Sequence, residues 1–333
     1  MTPVFDEIVL LCPEAASGGP EAIHQLAHAV NVLGGKARLA YFSNKSTVAF
    51  LEDRLQCTPN PDLQLPQTYE AYAPQIFHET RLGARSLVIF PETLAKRALS
   101  LRGSARAIWW LSVDNAMVSD PDLDEQEARA KLFADPDLIH FYQSCYAHDF
   151  LKRNQARQMF PLYDYINRVF ISEFFVDSSE IVLTAKKQQI AFFPRKGGAL
   201  AALFSKTASG LQFIPIENMS KDEVRQALQQ CAIFLDFGDQ PGKDRVPREA
   251  AASGAVVFLH ERGAAEFFAD HPLERNYLFD MGDIVNGDLQ RRVREVLADP
   301  GAHLRRQRYY RQRVRMEKEE FELQVRSFFF EGG

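Results

Sequence analysis

The stretch CAIFLDFGDQPGKDRVPREAAASGAVVFL, residues 231–259, has the pattern of one strand–loop–helix–strand unit. Its two apolar runs, 231–237 and 255–259, have the length and composition of buried strands. Between them lie a loop of glycine and charged residues and a small-residue helix that we expect to begin near Pro247. Such a unit predicts two parallel strands joined by a crossover helix, the building block of α/β folds.

The loop is rich in glycine and basic residues, yet it is not a Walker A phosphate-binding loop. That motif needs four residues between its first glycine and the Gly-Lys pair, followed by Ser or Thr. Only three residues separate Gly238 from Gly242, and Asp244 stands at the hydroxyl position. Positive charge beside a helix N-terminus still favours an anionic ligand. The residues that supply this charge are Lys243, Arg245 and Arg248.

The same alternation of apolar runs and helical patterns extends through both halves of the 333-residue chain. A chain of this length predicts two domains, and the alternation predicts a parallel sheet in each. The last 30 residues or so predict one long amphipathic helix, with an apolar stripe at helical spacing. The strand candidates are EIVLLC, ARLAYF, SLVIF, AIWWLS, LIHFYQ, QIAFFP, LQFIPI, AIFLDF and AVVFL, and the stripe is Tyr310, Val314, Phe321, Val325 and Phe328.

Composition excludes several classes of protein. A net charge of −5 argues against a protein that coats nucleic acid. Four cysteines without CxxC spacing indicate neither a zinc cluster nor a disulfide framework. The apolar run near the N-terminus is too short for a signal peptide, and no run is long enough to span a membrane. We therefore expect a soluble, cytoplasmic protein.

Two further loops follow strand candidates and are suited to anions. Gly18 and Gly19 come after the first strand and directly before a helix, so backbone N–H groups can approach a ligand there. Arg195 and Lys196 follow QIAFFP beside a glycine pair, which suits a phosphate or diphosphate. Glu249, in the helix after the opening loop, is placed to accept hydrogen bonds from sugar hydroxyls. An ordinary turn or a capped surface helix is the alternative interpretation of each.

A general base could come from the first half of the chain. Asp114 follows AIWWLSV and Glu14 follows the first strand, so both are candidates, although Asp114 could equally cap the next segment. His24 and His28 lie four residues apart on one helix, but Gln25 replaces the glutamate of a zinc HExxH motif, so packing is favoured. The triplets at 120–122 and 135–137 contain central prolines and indicate turns rather than metal sites.

The motifs FPRKGG (193–198), DFGDQPGKDRVPREAAASGAVV (236–257) and RGAAEFF (262–268) resemble the nucleotide-sugar-binding domain of GT-B fold glycosyltransferases, especially those of bacterial surface-polysaccharide pathways. The segment SGGPEAIHQLAHAVNVLGGKARLAYF (17–42) is similar to the opening of their acceptor domain. The resemblance implies two Rossmann-like domains facing a cleft. It assigns 1–170 to the acceptor side, 171–303 to the nucleotide sugar, and 304–333 to a helix crossing back to the first domain.

The resemblance also implies roles for residues. Arg195 and Lys196 match the basic pair that neutralises the donor diphosphate, Glu249 the glutamate that holds the ribose, and Gly18-Gly19 a loop that closes over the phosphates. Retaining members carry Glu-x7-Glu, but Pro241 stands eight residues before Glu249. The loop residues Gly242, Lys243 and Arg245 are expected at the donor instead. Stereochemistry, donor and acceptor stay open.

We therefore expect a metal-independent glycosyltransferase without a cofactor, moving a sugar from a nucleotide-diphosphate donor to a saccharide or lipid-linked acceptor. A nucleotide-sugar epimerase and a catalytically silent binding or assembly protein are the alternatives. A basic cluster near the C-terminus adds the hypothesis of peripheral contact with the inner face of an anionic membrane, set against pairing of Arg313 with Glu317 along the helix. The cluster is Arg305, Arg306, Arg308, Arg311, Arg313 and Arg315.

Overall fold

The computed structural model describes residues 1–51, 54–171 and 187–331. The chain divides into two compact units, one formed by Met1–Asp164 with Glu319–Gly333 and the other by Tyr165–Lys318. The domain boundary expected at 170–171 adjoins residues 172–186, which lie outside the described residues.

The first unit is built on a six-stranded sheet of parallel strands in the order β10-β9-β8-β7-β2-β3. A smaller antiparallel sheet, β4-β5-β6, lies between β3 and β7 in the chain. The strands are β1 (Thr2–Pro3), β2 (Glu7–Pro13), β3 (Ala37–Phe42), β4 (Thr47–Leu51), β5 (Arg54–Thr58), β6 (Glu79–Arg81), β7 (Ser86–Pro91), β8 (Ala105–Trp110), β9 (Leu138–Tyr142) and β10 (Gln158–Pro161). The helices are α1 (Gly18–Val32), α2 (Gln67–Glu70), α3 (Val113–Ser119), α4 (Gln126–Ala134) and α5 (Cys145–Arg153).

The second unit has a five-stranded parallel sheet in the order β12-β11-β13-β14-β15. Its strands are β11 (Lys187–Phe192), β12 (Gln212–Pro215), β13 (Cys231–Asp236), β14 (Val256–His260) and β15 (Leu278–Phe279). Its helices are α6 (Gly198–Thr207), α7 (Lys221–Gln230), α8 (Arg245–Ala252), α9 (Met281–Val285), α10 (Asp288–Ala298) and α11 (Pro300–Arg306). Helix α12 (Arg308–Phe329) continues from this unit into the first, where β16 (Phe330–Glu331) pairs antiparallel with β1.

The central apolar runs form strands that are covered on both faces. Every residue of β13 and β14 is buried, and so are all six residues of β7. Parallel strands packed between helix layers lose the polar alternation of half-exposed strands and show continuous apolar sequence instead. The predicted pair of parallel sheets flanked by helices is therefore confirmed.

The C-terminal helix differs from its sequence prediction. Helix α11 ends at Arg306 and α12 begins at Arg308, so the expected long helix is broken at Gln307. The Gln307 side chain is buried, accepting from Val257 N at 2.9 Å and donating to Val257 O at 2.9 Å. This amide joins the end of α11 to β14, a tertiary contact that periodicity does not reveal.

Helix α12 supplies buried residues to both units. Tyr310 and Val314 belong to the core of the second unit, whereas Phe321, Val325 and Phe329 fall in the part grouped with the first. In the part of the chain that the structure describes, every helix is too short or too polar to cross a membrane.

Candidate functional site

The carboxyl ends of β11 and β13 form the switch point of the second sheet. Strand β11 pairs with β12 on one side and β13 on the other, so the chain first runs toward one edge and then reverses. In open parallel sheets, ligands bind in the crevice where the strand order reverses. The loop 193–197 follows β11 and the loop 237–244 follows β13, so both sequence-predicted basic loops lie at this point.

These two loops pack backbone against backbone at positions that only glycine tolerates. Gly197 has φ of +65°, and a Cβ there would lie 1.9 Å from the Phe237 carbonyl oxygen. A Cβ on Gly238 would lie 2.6 Å from the Cβ of Lys196. The loops lead directly into α6 and α8, whose first turns carry backbone N–H groups without intrahelical partners. Fixed N–H groups and a lysine at one sheet edge form a suitable cradle for an anion.

Lys196 is the cation that this edge presents. Its Nζ forms an ion pair with Asp244, and its side chain is 40% exposed. Burial works to lower the pKa of Lys196, but the charge and hydrogen bond of Asp244, with the charge of Asp236, outweigh it and raise that pKa. The Asp244 carboxylate is therefore already paired with the lysine that an anionic ligand would contact.

Asp236 lies beneath this pair as the last residue of β13. It is 2% exposed, and its Oδ1 accepts from Gly238 N at 2.9 Å. Burial raises the pKa of Asp236 to about 6, and the charge of Asp244 adds to the effect, while Lys196 and the Gly238 N–H oppose it. The sequence predicted the basic residues here but not the two aspartates beside Lys196. Asp236, the one charged residue in the apolar run CAIFLDF, was the signal for the first of them.

Lys243 points away from this cradle and into the protein. Its Nζ lies 2.8 Å from Glu317 Oε1 on α12, and Arg248 lies 2.7 Å from Glu317 Oε2. Lys243 is 8% exposed, and Arg248 and Glu317 are almost fully buried. Arg248 also donates to the carbonyl oxygens of Lys243 and Asp244, at 2.9 and 3.1 Å. The network anchors the loop rather than displaying its charge.

The other predicted residues of this unit are placed differently. Arg195 is exposed and donates to Asn218 Oδ1 at 3.1 Å, beyond the end of β12. Arg245 opens α8 and is half-buried, and Gly242 is buried within the loop. Because α8 begins two residues before Pro247, Glu249 lies in its second turn and not its first, and it is buried. Lys196, Gly242 and Arg245 are thus brought to one edge, and Arg195 lies at its exposed side.

The first unit has a matching switch point between β2 and β7. Strand β2 pairs with β3 and with β7, so the loops after β2 and β7 meet where the strand order reverses. Gly18 and Gly19 are the first residues of α1, directly after the β2 loop. The Tyr69 hydroxyl braces that loop, donating to Ser17 O at 3.0 Å and accepting from Ser17 N at 3.2 Å.

Glu14 lies in the same loop and is half-buried. Its Oε2 accepts from Asn60 Nδ2 at 3.0 Å. Its Oε1 is buried, and no side chain or backbone group of the described residues hydrogen-bonds to it. A buried carboxylate oxygen without a partner costs free energy, so it marks a position where a ligand hydroxyl can bind.

Glu92, which the sequence prediction missed, follows β7 at this switch point. It is 6% exposed, and its Oε2 accepts from Leu111 N at 3.4 Å. Burial raises the pKa of Glu92 to about 7, although two backbone N–H groups oppose the shift. Asp114, the other candidate base, lies in the first turn of α3 and accepts from the Tyr146 hydroxyl at 2.7 Å.

The histidine and aspartate patterns have structural partners. His24 is buried between Pro20 O and the Tyr41 hydroxyl, both at 2.7 Å. Lys96 pairs with Asp120 and Asp122 of the first Asp-Pro-Asp triplet, at 2.8 and 2.7 Å. Across residues 1–51, 54–171 and 187–331, no group of three or more His, Cys, Asp or Glu side chains is arranged to hold a metal ion.

Solved structures resemble the chain over nearly its whole length, although no protein-family model and no curated protein sequence matches it. A sucrose-phosphate synthase from Thermosynechococcus elongatus superposes with a TM-score of 0.63 at 15% identity, covering 97% of this chain and 98% of its own. HepE from Anabaena in complex with UDP gives 0.61 at 10% identity, covering 96% and 98%. A glycosyltransferase from Rickettsia africae gives 0.58 at 10% identity, covering 97% and 96%. The chain has the GT-B fold.

The GT-B fold confirms the fold class predicted from the motifs at 193–198, 236–257 and 262–268. The sequence located the edge of each GT-B sheet where strand order reverses, because glycine and basic residues follow buried strands there. It did not reveal which charges face the edge. Lys243 and Arg248 turn inward because their acceptor, Glu317, lies on a helix far along the chain.

Proposed function

We propose that this protein transfers a sugar from a nucleotide-diphosphate donor to an acceptor hydroxyl. The observation that carries the proposal is Lys196 at the switch point of the second sheet, where its own loop packs against the loop after β13 and both lead into helix N-termini. HepE, which shares the fold, has been solved with UDP and with UDP-glucose. That likeness supports a nucleotide sugar as the donor.

The chemistry asks for stabilisation of the leaving group. Breaking the glycosyl–phosphate bond builds negative charge on the departing diphosphate, and preorganised cations and N–H dipoles lower the energy of that charge. Lys196, with the N–H groups at the starts of α6 and α8, would supply them, and Arg245 at the first residue of α8 adds a second cation. The proposal needs neither a metal ion nor a cofactor.

On the acceptor side, Glu14 and Asp114 are the proposed bases. Glu14 Oε1 has no hydrogen-bond partner among the described residues and can accept from an acceptor hydroxyl, whereas Asp114 Oδ1 accepts from the Tyr146 hydroxyl. Glu14 is therefore the preferred base of the two. We place the activity in the cytoplasm, since all four cysteines are free thiols, and in bacterial surface-polysaccharide synthesis, since the motifs at 193–198, 236–257 and 262–268 resemble enzymes of those pathways. Peripheral membrane contact through the basic C-terminal cluster stays part of the proposal. Two of its arginines are less available for lipid, because Arg311 is buried and Arg306 pairs with Glu274.

Calorimetric titration with UDP, ADP and GDP tests the donor site. Lys196→Ala is expected to weaken the best-bound diphosphate by about tenfold or more, because a charged hydrogen bond contributes roughly 1.5–3 kcal/mol. Arg245→Ala is expected to weaken it less. The matched control is Lys206→Ala, which removes an exposed lysine from the last turn of α6.

Circular dichroism must show that each variant is folded. Equal affinity of wild type, Lys196→Ala and Arg245→Ala for every diphosphate would contradict the donor site. Product analysis separates the enzyme classes: a donor that is isomerised without an acceptor would indicate an epimerase, and a bound donor that never releases a nucleoside diphosphate would indicate a silent binding protein.

A further inference from the structure

A cavity of about 300 Å³ opens beside Glu14 at the carboxyl ends of β2 and β3, within the first unit. Its volume is at the small end of the range for ligand pockets. Three kinds of group surround it: the end of β2, Tyr41 from β3, and the segment that leads to α2. Its lining includes Glu14, Tyr41, Asn60, Asp62, Leu63 and Tyr69.

The hydrogen-bonding groups of this cavity are mostly acceptors. The Asn60 side chain bonds within the lining: it donates one N–H to Glu14 Oε2 at 3.0 Å and accepts from Asp62 N at 3.0 Å. The Tyr69 hydroxyl is used by the backbone of 15–17. Glu14 Oε1 remains, buried and with no hydrogen-bond partner among the described residues, together with the acceptor-only carboxylate of Asp62.

The Tyr41 hydroxyl oxygen is a further acceptor, because the buried His24 fixes the direction of the hydrogen bond between them. His24 Nδ1 lies 2.7 Å from the Pro20 carbonyl oxygen, which can only accept, so Nδ1 carries the proton. Burial lowers the pKa of His24, so the ring is neutral and its Nε2 must accept from the Tyr41 hydroxyl at 2.7 Å. The Tyr41 hydroxyl therefore donates its hydrogen bond to His24, and its oxygen can offer lone pairs only.

The charge of the cavity has one sign. The lining includes two carboxylates, while its described members include no Lys, Arg or His. The cation Lys45 reaches Asp62 from outside at 3.7 Å, and both side chains are largely exposed. A phosphate group brings negative charge, so the two carboxylates repel it, and no cation of the described lining offsets that repulsion. A sugar ring brings several hydroxyl donors and a C–H face that packs on tyrosine and leucine.

We propose that this cavity binds the acceptor as a neutral saccharide, through a hydroxyl that donates to Glu14 Oε1, and that it selects against phosphorylated acceptors. The assignment rests on the proposed sugar transfer and narrows its acceptor class. Under this assignment the protein accepts a free saccharide and rejects a saccharide whose binding end carries a phosphate or a lipid diphosphate.

Ligand-observed NMR and calorimetry on the full chain test this with paired probes: glucose, maltose and sucrose against glucose 6-phosphate, maltose 1-phosphate and sucrose 6-phosphate. At least one neutral sugar is expected to bind about tenfold more tightly than its phosphorylated partner. Glu14→Gln, which keeps the shape of the side chain, is expected to weaken that sugar about tenfold, the scale of one charged hydrogen bond. The matched control is Glu70→Gln on α2, an exposed residue outside the lining.

Equal binding of a sugar and its phosphate, equal binding by wild type and Glu14→Gln, or no binding of any neutral probe would overturn the assignment. So would tight binding of glucosamine with no binding of glucose, since the cavity would then be a cation site. A parallel UDP titration separates the two proposals. UDP binding without saccharide binding defeats only this inference, and Glu14-dependent saccharide binding without nucleotide binding defeats only the proposed donor.

Discussion

At the scale of single residues, Asp244 competes with any anion for Lys196. Its carboxylate pairs with the lysine that the proposed diphosphate would use. Asp244→Asn removes the competing charge and leaves a side chain of similar shape, so we expect diphosphate affinity to rise by a few fold, opposite in sign to Lys196→Ala. Calorimetric titration with UDP checks both. A fall in affinity in Asp244→Asn would mean that the aspartate holds the lysine in place for the ligand.

Glu92 gives a pH dependence of stability. Its pKa in the folded protein is about 7, against an ordinary value of 4.5, so the folded state keeps a proton that the unfolded state releases as pH rises. Its contribution is therefore complete below pH 4.5 and is lost as pH rises through 7. Glu92→Gln cannot ionise, and we expect it to be more stable than wild type at pH 8, by roughly 3 kcal/mol at most, with that advantage vanishing near pH 4.5.

Urea denaturation at several pH values measures this difference, because other titrating groups cancel between the two proteins. Glu70→Gln, an exposed change, should show no such trend. A gap between wild type and Glu92→Gln that stays constant from pH 4.5 to 8 would show that folding does not raise the pKa of Glu92.

At the scale of elements, α12 holds the β13–α8 loop through Glu317. Removing this carboxylate leaves Lys243 and Arg248 buried without their shared counter-charge. Breaking a buried pair in this way typically costs about 3–5 kcal/mol. Glu317→Ala is therefore expected to be strongly destabilised in urea, and to bind UDP more weakly because Arg248 also fixes the carbonyls of the loop.

Glu319→Ala is the matched control, because Glu319 is exposed two residues further along α12. Surface substitutions of this kind usually change stability by about 0.5 kcal/mol or less. A loss in Glu317→Ala no larger than in Glu319→Ala would show that water solvates the two cations once the carboxylate is removed.

The strands could be predicted wherever burial on both faces requires a continuous run of apolar residues. β7 and β13 are continuous apolar runs because both faces are covered, and they were predicted. β10 has only four residues, none of them buried, so no run marked it. The break at Gln307 carries no glycine or proline signal, because its cause is a side-chain bond to Val257 that only the folded chain supplies.

The same limit applies to the candidate site. The loops that contain Gly197 and Gly238 could be located from sequence, because glycine is required where the two loops approach closely. Lys196 was predicted because it stands beside a glycine pair directly after a strand. The direction of Lys243 and the partner of Lys196 depend on residues distant in sequence, so periodicity could not give them. The cavity beside Glu14 was missed for the same reason. More than half of its lining comes from 60–69, where the sequence shows no regular pattern.

At the scale of the whole molecule, α12 is shared by two cores, so its two ends should support different units. Phe329 is 1% exposed and packs on Phe141 of β9 with ring centroids 5.8 Å apart, within the first unit. Phe329→Ala leaves a cavity there, and core changes of this size cost about 3–5 kcal/mol. Amide hydrogen exchange should therefore accelerate in β9 and its neighbours β8 and β10, and much less in β13 and β14 of the second unit. Leu323→Ala is the control on the same helix, because Leu323 is 62% exposed and its loss should leave both sheets protected. Equal acceleration in β9 and β13 would instead mean that the two units unfold as one cooperative body, joined through the continuous helix.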